Sequence, residues 1–436
     1  MSWSDKIIVN ELLNRQKSFT IHNSLLAIHN SQFFLTMSTL NALLALTEKF
    51  SGSDVITLHP ERCLNTRFRT LDCSICAEVC PAEGAITVTG GKPTLDNNAC
   101  LRCGLCLHRC PTEAFTRPDS LPGNLVKTVT ALPAGPVDLI CPQHLHPEHG
   151  PASQAVQTQR CLAALSPATL LELSTLNKEI WLDDIPCAEC PLGQVHPVMT
   201  QTVNEANSWA GLLAETTLIR QRTEEQAETR PAVQRPVYDA ASPPISRRGL
   251  LSAFKQSGQA VAAADEKVAL VKGGKAVPVS ERLPHSLPHH RAKILSILEK
   301  SSPSQSPLSH YQLPILNLHL DPTRCTACGL CAKFCPTAAL KFLSDDAAFA
   351  LTFQPSLCLG PACNICIPAC PEQAGSTQPA PEALNLFKRQ PLLAGELTAC
   401  QTCKQPIAHG PDLPQTCFAC RPKTTVSDLF IRVIAE

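Results

Sequence analysis

The side chains able to do chemistry in this chain are its cysteines, 24 among 436 residues, falling in six groups of four with none left over. One run reads C-x2-C-x2-C-x3-C-P through Cys325, Cys328, Cys331 and Cys335; a second places Cys358, Cys363, Cys366 and Cys370 before another proline, with a longer first gap. Two-residue gaps let thiolates converge on the irons of one [4Fe–4S] cluster while backbone N–H groups point at its sulfides. The proline after the fourth cysteine turns the chain away and removes a competing donor. In paired runs three cysteines hold one cluster and the fourth reaches across to the other. The expected sets are therefore Cys325, Cys328, Cys331 with Cys370, and Cys358, Cys363, Cys366 with Cys335.

The pattern occurs a first time upstream. Cys100, Cys103, Cys106 and Cys110 form a full run, and Cys73, Cys76 and Cys80 keep C-x2-C-x3-C-P, but nine residues separate Cys63 from Cys73. The same crossover gives Cys63, Cys73, Cys76 with Cys110, and Cys100, Cys103, Cys106 with Cys80. Structural zinc is the rival for these blocks, but zinc sites are usually two C-x-x-C pairs rather than three close cysteines and a fourth before proline. Both blocks resemble the bacterial two-cluster ferredoxin family, and the long first gaps at Cys63 and Cys358 depart from its compact pattern. Short apolar runs after the prolines, AITV at 85–88 and ALKFL at 339–343, are expected to be strands of a small βαβ-type repeat.

Two further groups use other spacings. Cys141, Cys161, Cys187 and Cys190 follow apolar segments (VDLIC, EIWLDDIPC) that read as strands ending at ligands. This frame loosely resembles the iron–sulfur small subunits of hydrogenase and heterodisulfide-reductase complexes, which implies a fifth cluster; zinc or no metal stay open. Cys400, Cys403, Cys417 and Cys420 form C-x2-C-x13-C-x2-C, a zinc-ribbon-like signature. That set is complete in itself, so the tail is expected to bind one Zn2+ and to be dispensable for the clusters.

These cysteines need small elements to position them, and composition agrees. Aromatic residues are 4% and charged residues 17%, too few for an ordinary enzyme core, while 38 prolines imply many short elements. The expected class is α+β. A leader at 1–54, with Met37 an alternative start, precedes a dicluster ferredoxin module at 55–118. A small α/β four-cysteine module at 119–200 and a partly disordered linker at 201–310, with a helix from Val203 to Gln226, come next. A second dicluster module at 311–376 and the tail at 377–436 complete the chain. The linker is expected to let the two modules act as separate heads.

With 37 basic and 37 acidic residues there is no electrostatic case for nucleic acid. No window supports a membrane span, and with no secretory signal the disulfide reading of the cysteines fails, so the compartment expected is the cytoplasm. The segment PPISRRGLLSAF at 243–254 is internal, which argues against twin-arginine export. Its S-R-R-G resembles the opening of the ferredoxin-type accessory protein of periplasmic nitrate reductase. Histidines 144, 146, 149, 285, 289 and 290 lie in Pro-rich stretches and are expected to be solvated. No G-x-G-x-x-G, Walker A or C-x-x-C-H motif is present. The expected role is a multi-cluster carrier relaying single electrons between soluble redox partners, with no catalytic residue and no small-molecule substrate. The alternative is an accessory or maturation protein for a molybdenum or tungsten oxidoreductase.

Overall fold

The computed structural model describes residues 55–117, 121–224, 232–242, 285–301, 313–345, 347–378 and 386–421. The leader, with Met37, and the arginine pair at 247–248 lie outside the described residues.

Four short strands frame the first module: β1 (Thr57–Leu58), β2 (Ile86–Thr89), β3 (Lys92–Leu95) and β4 (Phe115–Thr116). β1 pairs antiparallel with β4, and β2 with β3. The β2–β3 turn is Gly90–Gly91, both at positive φ as a tight right-twisted hairpin requires. Between the strands lie three one-turn helices, α1 (Leu64–Arg67), α2 (Ile75–Glu78) and α3 (Leu105–Arg109). The core is small: Ile56, Ile86, Ala114 and Phe115 pack with cysteines of both runs.

The middle unit begins with α4 (Leu121–Ala131), followed by β5 (Val137–Ile140), β6 (His149–Gly150) and β7 (Gln154–Gln157). It continues through α5 (Pro167–Ser174), β8 (Ile180–Leu182), α6 (His196–Ala210), β9 (Arg220–Gln221), β10 (Val233–Gln234) and β11 (Val237–Asp239). A parallel sheet runs in the order β11-β7-β5-β8-β9. β5 is buried at every residue, as a central parallel strand covered on both faces should be. α5 starts where Ser166 accepts from the Thr169 N–H at 3.2 Å with Pro167 in the first turn.

This sheet extends past residue 200, where the sequence reading places a linker. The helix expected from Val203 to Gln226 is instead α6, and β9 and β11 complete the sheet edges. The buried Asp138 of β5 ties them in, accepting from Arg222 Nε at 3.0 Å and pairing with Arg235. Strands of two or three residues carry no readable period, and the Pro- and Ser-rich composition around them masked their contacts.

The far end of the same stretch forms α7 (His289–Lys300), which buries Ile294, Leu295 and Leu298 against Leu171, Trp209 and Leu213. Its N-terminus is capped from the first module. Glu113 accepts from the backbone N–H groups of His289 and His290, both at 2.7 Å, and from the His290 ring at 2.6 Å. Burial alone would raise the Glu113 carboxyl, but the His290 side chain and the backbone donors outweigh it and hold it below its ordinary value of 4.5. A depressed carboxyl stabilises the fold above its unfolded value, and that increment is lost as pH falls through the folded one. Glu113→Ala is expected to cost about 1–2 kcal/mol near neutral pH. It should be read as faster amide exchange in α7, with the gap between variant and parent closing below pH 4.5.

The second module repeats the first. β12 (Asn317–Leu320) leads to α8 (Leu330–Phe334), β13 (Leu340–Ser344), β14 (Ala348–Phe353) and β15 (Gly375–Gln378), with β12 paired to β15 and β13 to β14. The chain then adds β16 (Gln390–Ala399) to β14 and β17 (Pro406–Ala408) to β16. The segment expected to be a self-contained tail thus begins as a strand of the second module's sheet. Nor do the modules stand apart. The rings of Phe68 and Phe334 meet edge-on at 5.2 Å, and Leu64 packs with Cys363 and Ile365. No helix among the described residues is long and apolar enough to cross a membrane.

Candidate metal centres

In the first module, Cys63, Cys73, Cys76 and Cys110 line one cavity, together with Leu64, Val88 and Phe115. Cys80, Cys100, Cys103 and Cys106 line a second. The long gap between Cys63 and Cys73 is closed by Asn65, which is 2% exposed. Its side chain donates to the Cys73 carbonyl at 2.8 Å and accepts from the Cys73 N–H at 2.7 Å, returning the loop to Cys63. Asn65 is a positioning residue that spacing could not reveal.

The second module brings its cysteines together less separately. Cys325, Cys328, Cys331 and Cys370 line one cavity, and Cys366 lines it too. Burial, then the charges of Cys358, Cys363, Cys335 and Cys331, push the Cys366 thiol up, so it lies within reach of both sets. The repeat holds at single backbone groups. Ala114 donates to the Cys110 sulfur and Ala374 to the Cys370 sulfur, each at 3.3 Å. Gly104 and Gly329 each start the helix after the second cysteine of a run, both left-handed.

Cys141 follows β5, Cys161 opens a tight turn before α5, and Cys187 and Cys190 follow β8, so the parallel sheet delivers all of them to its carboxyl end. The charges of Cys141 and Cys190 bear on both Cys161 and Cys187, and that of Cys103 reaches Cys161. This middle site packs directly on the first module. The buried His108 donates to the Ala163 carbonyl at 2.9 Å; burial pushes its pKa down to about 4, so the ring is neutral. Gly104 lies so close that a Cβ there would stand 2.7 Å from the Ala164 Cβ.

In the tail, the sulfurs of Cys400, Cys403, Cys417 and Cys420 all lie within 4.8 Å of one another, with Cys403 and Cys417 at 3.7 Å. A tetrahedral ion with bonds of about 2.3 Å to sulfur sets its ligands about 3.8 Å apart. Backbone N–H groups of Cys403 and Cys417 hold the Cys400 thiol below its ordinary value, while hydrogen bonds with Cys403 and Cys417 push the Cys420 thiol up. No other group of potential ligands converges as closely among the described residues.

Burial and mutual repulsion push several of these thiols up, Cys76, Cys187, Cys331 and Cys363 to about 12 and Cys161 to about 11. Such sets become thiolates only against strong positive charge, which bound iron supplies. The histidines divide otherwise than expected. His146, His149, His285 and His289 are exposed, the His285 ring also donating to the Cys335 carbonyl at 2.7 Å, but His144 bonds Asp183 at 3.0 Å and His290 helps cap α7.

Residues 71–115 match the 4Fe-4S dicluster domain, and residues 318–341 the 4Fe-4S binding domain. The chain carries 4Fe-4S domains of the ferredoxin type in both halves. The first 4Fe-4S match begins after Cys63 and the second ends before Cys358, so the long-gap ligands fall outside both. No curated protein matches the chain.

Proposed function

We propose that this iron–sulfur protein is a multi-cluster electron carrier, relaying single electrons between redox partners and turning over no substrate of its own. In this reading the crossed sets hold four [4Fe–4S] clusters, Cys141, Cys161, Cys187 and Cys190 hold a fifth, and the tail holds zinc. When bound, such clusters supply one-electron transfer at potentials set by hydrogen bonds to sulfur, charge and exposure.

The observation that carries the reading is that neighbouring sets share side-chain packing, in series. Cys141, Cys161 and Cys187 pack in one apolar cluster with Cys103. Cys80, Cys100 and Cys106 share another with Cys63, Cys76 and Cys110. Leu64, beside Cys63, touches Cys363, and the two sets of the second module meet around Leu320 and Leu340. Isolated structural metals would need no such order. The two ends of the series, the middle unit and the Cys325 set, are where soluble redox partners would dock.

Reconstituted protein given less than one electron per chain, then frozen at intervals for paramagnetic resonance, tests this. Redistribution among the centres is expected at a rate independent of protein concentration. A rate proportional to concentration, or turnover of a small molecule by the isolated protein, would count against the carrier.

A further inference from the structure

The set of Cys335, Cys358, Cys363 and Cys366 differs from the others in the charge around it. Arg291, in the first turn of α7, is 4% exposed. Its Nη2 donates to the Cys358 carbonyl at 2.6 Å and its Nε to the Ser356 carbonyl at 3.1 Å, with the guanidinium 4.8 Å from the centre of the Trp209 ring. Arg67, at the end of α1, comes across the module contact beside Phe68, and its charge reaches Cys335 and Cys363. Arg389 donates to the Ala338 and Ala339 carbonyls at 3.0 and 2.9 Å, and its charge reaches Cys335. Three of the other sets have carboxylates instead, while the charges that bear on Cys103 and Cys106 in the remaining ferredoxin-type set are those of its own cysteines. Glu78 faces Cys73, Asp183 faces Cys141 and Asp184 faces Cys187. Glu372 faces Cys325 and Cys328, tempered by its ion pair with Arg421, whose own charge reaches Cys328.

A guanidinium buried as Arg291 is costs several kcal/mol unless opposite charge is near. Its carbonyl acceptors satisfy donors without cancelling charge. The nearby Glu205 carboxyl is itself pushed up by burial, which makes it a weak counter-ion. The thiolate set is the remaining anion, and a fixed cation beside it favours the more negative, reduced state.

We propose that Arg291, Arg67 and Arg389 give the centre held by Cys335, Cys358, Cys363 and Cys366 the highest midpoint potential in the chain, making it the electron sink. The proposal rests on the electron-carrier reading. An electron from a low-potential one-electron donor resides there first at equilibrium.

Redox titration of full-length reconstituted protein, followed by paramagnetic resonance, tests it, with iron content measured in every sample. The signal removed by Cys366→Ala identifies the centre and is expected to be the first to appear on reduction. Arg291→Gln should lower its midpoint by a tenfold change in the oxidised-to-reduced ratio, about 59 mV for one electron, and leave the other midpoints in place. Arg291→Lys should recover part of the shift. Arg67→Gln and Arg389→Gln, at less buried positions, should lower the same midpoint and carry the test if Arg291→Gln does not fold. With iron content unchanged, an unmoved midpoint, or a first signal belonging to another set, overturns the proposal alone. Absence of any signal sensitive to Cys366→Ala overturns the carrier reading at this site along with it.

Discussion

Cys110→Ala is expected to abolish the centre of Cys63, Cys73 and Cys76, far upstream in sequence, and to spare that of Cys100, Cys103 and Cys106 in its own run. The charge of Cys110 bears on all three upstream thiols, and Cys110 lines their cavity. Its neighbours in sequence instead converge with Cys80. A three-thiolate remnant holds at best a cluster lacking one iron, so the variant should lose between one and about four irons per chain. Paramagnetic resonance of the oxidised variant would carry a three-iron signal if the remnant survives. A signal change that Cys100→Ala reproduces and Cys73→Ala does not would contradict the crossing. The internal repeat extends the expectation to Cys370→Ala, which should damage the centre of Cys325, Cys328 and Cys331.

Ending the chain after Gln378 should remove much more than one zinc. β16 pairs along the length of β14, from Ala348–Glu396 to Phe353–Gln390, and stripping it leaves a long apolar strand with an open edge. The same cut deletes Arg389, which braces the carbonyls after Cys335–Pro336, and Arg421, which pairs with Glu372 beside the Cys325 set. We expect loss of the zinc and of about four to eight irons, the content of one or both centres of the second module. Cys403→Ser with Cys417→Ser keeps β16 in place and should lose zinc alone. Equal iron content in the truncated and full-length proteins would instead support the self-contained tail that spacing implies.

The metal chemistry was legible because it is local. Spacing and the following prolines give the cysteine runs, and the structure places Cys110 in one cavity with Cys63, Cys73 and Cys76, while Cys370 shares one with Cys325, Cys328, Cys331 and Cys366. The closely grouped tail was legible for the same reason. What joins the centres was not. The module contact rests on Phe68 and Phe334, each lying in a cysteine-rich stretch that already had an explanation. Asn65 acts through two hydrogen bonds to one backbone residue, and Asn in a loop carries no signal of that kind. Arg291 sits in a His- and Pro-rich stretch whose composition argues for a spacer, although Ile294, Leu295 and Leu298 keep helical spacing behind it. There the helical spacing outweighs the composition, and α7 joins the modules where a tether would hold them apart.

The most direct test of the account is the iron, sulfide and zinc content of full-length protein purified or reconstituted without oxygen. Four crossed sets predict about 16 irons with matching sulfide, about 20 when the middle set is filled, and one zinc per chain. About 8 irons or fewer in a fully reconstituted sample would contradict it, because at least two of the four ferredoxin-type sets would then hold no cluster.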